Sequence, residues 1–267
     1  MARSRPRLGQ VFLKDRRFQE RIIRSLGLRP GEAVLEIGAG PGNMTELLAA
    51  EGARVWAVEV DRRWAAALRQ KFAGQDAVQV LEADILQVPV ATVARLARQQ
   101  RIKVFGNLPY YITSPCLLHL FDEQERIEEI VVMVQQEVAE RIVAAPGSED
   151  YGLFSVTCQY YTEPSILFSI PPGAFHPRPE VHSALVRMRV NPQREALGIE
   201  DEEAFWKLVR AAFAHRRRTL ANNWKGLCDA ERLRNVLHVM GIDGRVRAET
   251  LSLAQLGRLY QALRNVE

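Results

Sequence analysis

Apolar residues recur along this chain in short blocks separated by stretches of helical period. Residues 33–37 (Ala-Val-Leu-Glu-Ile) predict a short strand running into Gly38-Ala39-Gly40-Pro41-Gly42, with a helix over 44–50. A second strand is predicted over 54–60, a helix over 63–72, and a third and fourth strand over 78–81 and 102–105. A fifth strand, 127–135, leads into a helix over 137–144. Ahead of them, residues 18–27 place Phe18, Ile22, Ile23 and Leu26 on one helical face. Strands alternating with helices predict an α/β fold built on a parallel, doubly wound sheet. Two late extended segments, 164–170 and 183–190, have no long helix between them and predict an antiparallel edge. Beyond Asn191-Pro192 the pattern is helical: Phe205, Leu208, Val209, Ala212 and Phe213, then 233–240 and 253–263. The expected division is therefore 1–190 for the sheet domain and 191–267 for a small all-helical domain.

Composition narrows the class. Hydrophobic residues make up 47% and charged residues 25% of the 267, ordinary for a globular protein. No apolar run approaches the ~20 residues of a membrane span, and the basic N-terminus lacks a following apolar stretch, so neither a membrane partner nor a secretory signal is expected. Cys116, Cys158 and Cys228 are scattered, and the five His residues form no ligand-spaced pair. Free thiols in a reducing, cytoplasmic setting and no metal are the expectation. Charge is uneven. Residues 1–30 carry nine Arg or Lys against two acids, a net of +7, and residues 191–267 a net of +3, so the formal +4 of the chain leaves −6 for 31–190. Basic ends suit a polyanion such as nucleic acid; the alternative is a solvated Arg-rich surface.

The most informative string is Asn107-Leu108-Pro109-Tyr110-Tyr111, after the predicted strand end Lys103-Val104-Phe105-Gly106. Asn-x-Pro-aromatic at that place suits a site holding an exocyclic base nitrogen. The amino group of adenine is a poor nucleophile because its lone pair is delocalised into the ring. Two acceptors, the Asn107 side-chain oxygen and the Leu108 carbonyl, would take its N–H bonds and localise that lone pair. Pro109 stiffens the turn, and Tyr110 offers a face for a base taken out of its stack. Read blandly, the string is an ordinary strand-to-helix turn. Glu36 and the glycine loop sit where a nucleotide cofactor crosses the carboxyl edge of a parallel sheet. A dinucleotide loop is the rival, but position 43 is Asn where a third glycine would stand. Glu36 can accept from a cofactor amino group, directly or through water. Glu59, about 20 residues beyond the loop, suits ribose hydroxyls, and Asp84, ending the third strand, suits an adenine amino group. Singly, each acid reads equally as a surface or cap residue. Together, at the ends of four successive strands, these features point to S-adenosylmethionine and a Rossmann-like, class I methyltransferase domain.

At these residues the chain resembles the small-subunit (16S) ribosomal RNA adenine dimethyltransferases. The likeness runs nearly end to end, through Gly9-Gln10-Val11-Phe12-Leu13, Glu36–Gly42, Phe105–Tyr110, Gln136–Arg141, Tyr151-Gly152, Pro171–Pro179 and Ala212–Arg218. It implies transfer of two methyl groups to each of two adjacent adenines in the 3′-terminal hairpin of 16S rRNA, in the immature small subunit, by a monomeric enzyme with no DNA partner. It places Val11, Leu13, Gly38, Glu59, Asp84 and Asn107 at the cofactor. Position 11, usually Asn or His in the family, is Val11 here, so a side-chain contact to the cofactor is lost there, while a main-chain contact could survive. The likeness also makes Phe175 a cover for the flipped base opposite Tyr110; a loop anchor in the core is the other reading.

Arg216-Arg217-Arg218 are expected in the last turn of a helix. With Asn222, Asn223 and Lys225 they read as a phosphate grip, or else as charge complementing a helix C-terminus. The basic run from Arg3 to Arg17 reads as a tail or a second grip. Three other readings compete. A methylase of 23S rRNA, the resistance type, shares the active-site motifs. A non-catalytic rRNA-binding or transcription-associated factor could keep the fold, although an intact Glu59, Asp84 and Asn107 argue against lost catalysis. An NAD-dependent dehydrogenase should lack Asn-x-Pro-Tyr and carry a catalytic His or Tyr-Lys pair, and none is apparent.

Overall fold

A computed structural model describes residues 11–109 and 111–264; the residues before Val11, Tyr110 and the last three lie outside it. The chain opens with a two-residue strand, β1 (Phe12–Leu13), and helix α1 (Arg16–Leu26). Asp15 starts that helix by accepting from the Arg17 N–H, and Gly27, at φ 52°, ends it in the left-handed region. Then follow β2 (Ala33–Ile37), α2 (Asn43–Ala50), β3 (Arg54–Glu59), α3 (Arg62–Lys71), β4 (Val78–Glu82), α4 (Val90–Ala97) and β5 (Ile102–Asn107). They continue with α5 (Thr113–Asp122), β6 (Ile127–Gln135), α6 (Gln136–Val143), α7 (Leu153–Tyr161), β7 (Thr162–Ile170), β8 (Phe175–His176) and β9 (Ser183–Val190). The predicted strands stand within a residue or two of these bounds. Val60, included in the second predicted strand, is outside it and 55% exposed. Helices α4, α5 and α7 carry no prediction.

The sheet has seven strands in the order β4-β3-β2-β5-β6-β9-β7. Strands β2 to β6 are parallel, and β9 runs antiparallel to β6. The predicted late segments are thus β7 and β9. The chain leaves β2 toward β3 and β4, then returns to lay β5 on the other side of β2. That reversal opens a crevice at the carboxyl ends of β2 and β5. Register decides what meets there. Ile37 pairs with Gly106, so the next residues, Gly38 and Asn107, leave the sheet side by side.

The opposite edge holds a buried charge cluster. Lys103 at the start of β5 is 5% exposed, and its Nζ donates to the Leu26 carbonyl at 2.8 Å. It lies 3.4 Å from Glu32 and 3.6 Å from Glu129, whose other oxygen lies 3.3 Å from the Arg187 Nε. Burial alone would raise the Glu32 carboxyl, but hydrogen bonds from the Arg29 main chain and guanidinium, and the Lys103 charge, hold it below the usual carboxylate range.

By contacts the chain separates into two compact units. One runs through Ala139 and takes back Ser165–Val190; the other is Glu140–Pro164 with the residues from Asn191 onward. Residues 140–164, which the sequence division at 190 leaves in the sheet domain, cluster instead with the C-terminal helices. These are α8 (Glu202–Ala212), the short α9 (Leu220–Asn223), α10 (Ala230–Val239) and α11 (Leu253–Arg264). The reason is packing. Tyr160 of α7 stacks on Phe205 with ring centroids 5.6 Å apart, and the Tyr151 hydroxyl donates to the Leu251 carbonyl at 2.9 Å. Val156 is fully buried in the same cluster.

Candidate active site

The glycine loop after β2 is held against β3 by main-chain and side-chain bonds. Gly38 N–H donates to the Val58 carbonyl at 2.9 Å. Glu59, 3% exposed, accepts from the Gly40 N–H through one oxygen and the Asp61 N–H through the other, both at 2.8 Å. Each carboxylate oxygen keeps a free lone-pair direction. Gly40, at φ 52°, has no room for a side chain: a Cβ would come within 2.6 Å of the Phe12 ring. Phe12 therefore lies on the loop, its other side edge-on to Trp64 at 5.4 Å.

Two cavities meet here. The larger, about 730 Å³ measured to its open mouth, is lined by Val11, Gly38, Glu59, Asn107, Leu108 and Phe175 among others. The smaller, about 360 Å³, is lined by Leu13, Glu36, Ala39, Met44 and Phe105. Both also share Phe12, Gly38, Asn107 and Met133. Asn107 thus stands at their junction. Leu13 is buried, its carbonyl accepting from the Gln19 side chain at 2.8 Å.

The Asn107 amide has a decided orientation. Its Nδ2 donates to the Val11 carbonyl at 2.7 Å, which turns Oδ1 the other way. The turn behind it is pinned by Leu108 N–H donating to the Met133 carbonyl at 3.1 Å. It is pinned again by the Pro109 carbonyl, which accepts from Ile112 N–H at 3.0 Å and Thr113 Oγ1 at 3.2 Å. Among the described residues no donor meets Asn107 Oδ1 or the Leu108 carbonyl. These two acceptors, in a pinned turn, suit a primary amine with two N–H bonds to give.

Phe175 is 5% exposed in the core, opposite Leu13 in the β1–β8 pair, and it also lines the larger cavity. Tyr110 lies outside the described residues. Tyr111, 61% exposed, lines the same cavity. Its hydroxyl is pushed above the usual tyrosine range by partial desolvation and then by the charges of Asp84 and Glu59. Asp84 is half-buried at the end of β4, where its Oδ1 accepts from Leu86 N–H at 3.0 Å. It lines neither cavity. Sequence reasoning passed over Phe12, Tyr111 and Met133. Phe12 and Tyr111 lie inside quoted strings, and Met133 sits near the carboxyl end of β6, where a ligand is expected in this topology.

Glu36 is buried beneath the loop, accepting from Thr45 Oγ1 at 2.6 Å. Burial pushes its carboxyl up to about 7 from an ordinary 4.5, and the Glu59 charge adds to this against the Thr45 hydrogen bond. Without ligand, the folded protein holds a proton here that the unfolded chain releases between those values, so stability falls as pH rises from 4.5 to 7. Glu36→Gln should remove that fall and leave the variant more stable at pH 8, by about 3 kcal/mol at most. Denaturant melts at pH 5 and pH 8 check it; an unchanged pH dependence refutes it.

In the helical unit, α8 ends at Ala212, so Arg216, Arg217 and Arg218 lie in the loop beyond it and not in its last turn. The Arg216 guanidinium donates to the main-chain carbonyl of Glu149 and, at 3.5 Å, to that of Tyr151. Asn223 Nδ2 donates to the Ala212 carbonyl at 2.6 Å and the His215 carbonyl at 3.2 Å, tying this loop to the end of α8. These two side chains shape the loop. Arg217, Arg218, Asn222 and Lys225 are exposed, and no carboxylate pairs with the three cations among the described residues. In the N-terminal run, Arg16 pairs with Glu20 and Arg17 with Asp15; Arg3, Arg5 and Arg7 lie outside the described residues.

No helix among the described residues is long and apolar enough to cross a membrane, and no group of three or more His, Cys, Asp or Glu is placed to hold a metal. The chain is 42% identical to a protein of Koribacter versatilis over 98% of this chain and 95% of that one. It is 42% identical to one of Acidobacterium capsulatum, covering 98% and 92%. Both are named ribosomal RNA small subunit methyltransferase A. Among solved structures it is similar to the 23S rRNA methyltransferase ErmE, with TM-score 0.71, 26% identity, and 94% of this chain and 99% of that one covered. A dimethyladenosine transferase from Plasmodium falciparum shares the fold, with TM-score 0.75, 20% identity, and 93% and 95% covered. The family model for ribosomal RNA adenine dimethylase matches residues 1–265, taking in the glycine loop, the Asn107 turn and the helical unit alike. With the pinned amide at a sheet crevice, this makes the chain a member of the ribosomal RNA adenine dimethylase family.

Proposed function

We propose that this protein dimethylates the N6 atoms of two adjacent adenines in the 3′-terminal hairpin of 16S rRNA, acting in the cytoplasm as a monomer on the immature small subunit. The observation that carries this reading is the Asn107 amide at the junction of two cavities, with Nδ2 committed to Val11 and Oδ1 met by no donor among the described residues.

S-Adenosylmethionine, when bound, supplies an electrophilic methyl group. The residues fit it. Gly38 lines both cavities, and Gly40 lets the loop pack on Phe12 where a Cβ would clash; Glu59 keeps lone pairs for ribose hydroxyls; Glu36 offers a buried carboxylate to a cationic amine. At the other side of the junction, Asn107 Oδ1 and the Leu108 carbonyl accept the two N–H bonds of the adenine amine and draw its lone pair out of the ring. Phe175, with Tyr110, would flank the base. The methylated nitrogen is cationic and acidic, so its proton leaves to water without a strong base in the site. One N–H then remains to be held for the second transfer.

The resistance-type 23S reading draws on the likeness to ErmE. The relatives at about 40% identity favour the small subunit. Small and large subunits lacking these methyl groups, each incubated with the protein and labelled S-adenosylmethionine, separate the two. Label in the small subunit supports the proposal; label in the large subunit alone overturns it.

The exposed cations beyond α8 belong to the same reading. Replacing Arg217, Arg218 and Lys225 by alanine should lower the salt slope of RNA binding by about one unit or less per lost phosphate contact. Cofactor affinity should hold. A slope equal to wild type would remove these residues from the RNA.

A further inference from the structure

We infer that a second RNA-phosphate contact surface lies at the amino edge of the sheet, around Arg95, Arg98 and Arg126. The inference rests on rRNA being the substrate. A groove of about 1000 Å³ runs between the end of α4 and the approach to β6. Its lining holds these three arginines, Gln99 and Gln100, and no carboxylate. All three arginines are exposed, and none forms an ion pair among the described residues. This is not an average consequence of composition, because residues 31–190 carry a net charge of −6.

Backbone conformation gives an independent reason. Arg98 caps the C-terminus of α4 in the left-handed region, at φ 55°. Among the described residues every other position with φ in that region is a glycine. Glycine is the residue this cap favours, and an arginine there carries backbone strain. A cap alone gives no reason to keep it. Its side chain lines a groove whose lining holds no carboxylate, the neighbouring acid, Glu123, being committed to the N–H groups of Val90 and Ala91.

The flat, forked guanidinium suits phosphate oxygens. A single anion would need converging, buried donors; three exposed arginines along a groove suit a polymer of phosphates. The surface is remote from the reaction. Asn107 ends β5, whereas Arg98 and Arg126 precede the starts of β5 and β6. A six-residue strand spans ~20 Å, so RNA reaching both edges must pass around the sheet. A whole small subunit can do this; a short hairpin seated on Asn107 cannot.

The test uses the full-length protein, unmethylated small subunits and a short RNA carrying the 3′-terminal hairpin. Binding is measured over a range of potassium chloride. Arg95→Ala, Arg98→Ala and Arg126→Ala combined should lower the salt slope for subunits by about two units. S-Adenosylmethionine affinity and hairpin binding should stay at wild-type values. Arg98→Gly should raise the melting temperature yet weaken subunit binding, and Arg98→Lys should keep binding. Unchanged slope and affinity in the triple variant overturn the inference, as does binding lost to anionic vesicles but not to subunits. If wild type neither binds nor methylates subunits, the failure lies with the function proposed above; if it does both and the triple variant matches it, only this surface fails.

Discussion

Asn107→Ala is expected to lower the rate of methyl transfer by about 10²–10³, the effect of losing one preorganised partner of the transition state. The expectation follows from where the amide points. With Nδ2 held by the Val11 carbonyl at 2.7 Å, Oδ1 is presented without needing to reorient during reaction. Alanine removes that acceptor and also the tie to the N-terminal strand. Asn107→Asp separates the two losses. Aspartate keeps an acceptor for the adenine amine but cannot donate to Val11. It should turn over faster than alanine while sharing any loss of cofactor affinity caused by loosening β1. Single-turnover rates with saturating cofactor read the first effect, and cofactor titration the second. A rate for Asn107→Ala within threefold of wild type would take Asn107 out of the chemistry.

Lys103→Met is expected to cost about 3–5 kcal/mol of stability, the usual result of stripping one partner from a buried ion cluster. Lys103 Nζ sits between Glu32 and Glu129 and is fixed by the Leu26 and Gly27 carbonyls. Methionine fills the space but leaves two buried carboxylates and two carbonyls short of a donor. Arg29 and Arg187 remain beside the two acids, so the loss should fall toward the lower end. Urea unfolding at pH 7 measures it. A loss under 1 kcal/mol would mean that the arginines alone satisfy the cluster.

The crevice was legible because each of its chemical groups stands at the end of a strand with its own apolar signature. Those signatures place Glu36, Glu59 and Asn107 in order along one sheet edge. What surrounds Asn107 was not legible. The Val11 carbonyl reaches it across 96 positions, and a main-chain acceptor leaves no mark in a side-chain pattern. Tyr111 lies inside the same string as Asn107, but nothing in the sequence marks it as a cavity residue. Asp84 has a second role that its place at a strand end does not reveal: one of its oxygens caps the following turn. The division at Asn191-Pro192 rests on the helical pattern beyond it and leaves residues 140–164 in the sheet domain. An apolar helix face does not say which core it joins, and α7 joined the helical one. Arg216–Arg218 were placed on a helix because the apolar period of α8 continues to Phe213. The chain leaves the helix at that point, and Asn223 ties the loop that follows to the helix end.

Nucleotide-resolved mass spectrometry of 16S rRNA tests the central claim most directly. Unmethylated small subunits are incubated to completion with the protein and S-adenosylmethionine, and the 3′-terminal fragment is analysed. The expected product is N6,N6-dimethyladenosine at two adjacent positions, four methyl groups in all, with none formed by Asn107→Ala in the same time. Methylation confined to a single adenine, to a base other than adenine, or equal in the Asn107 variant would contradict it.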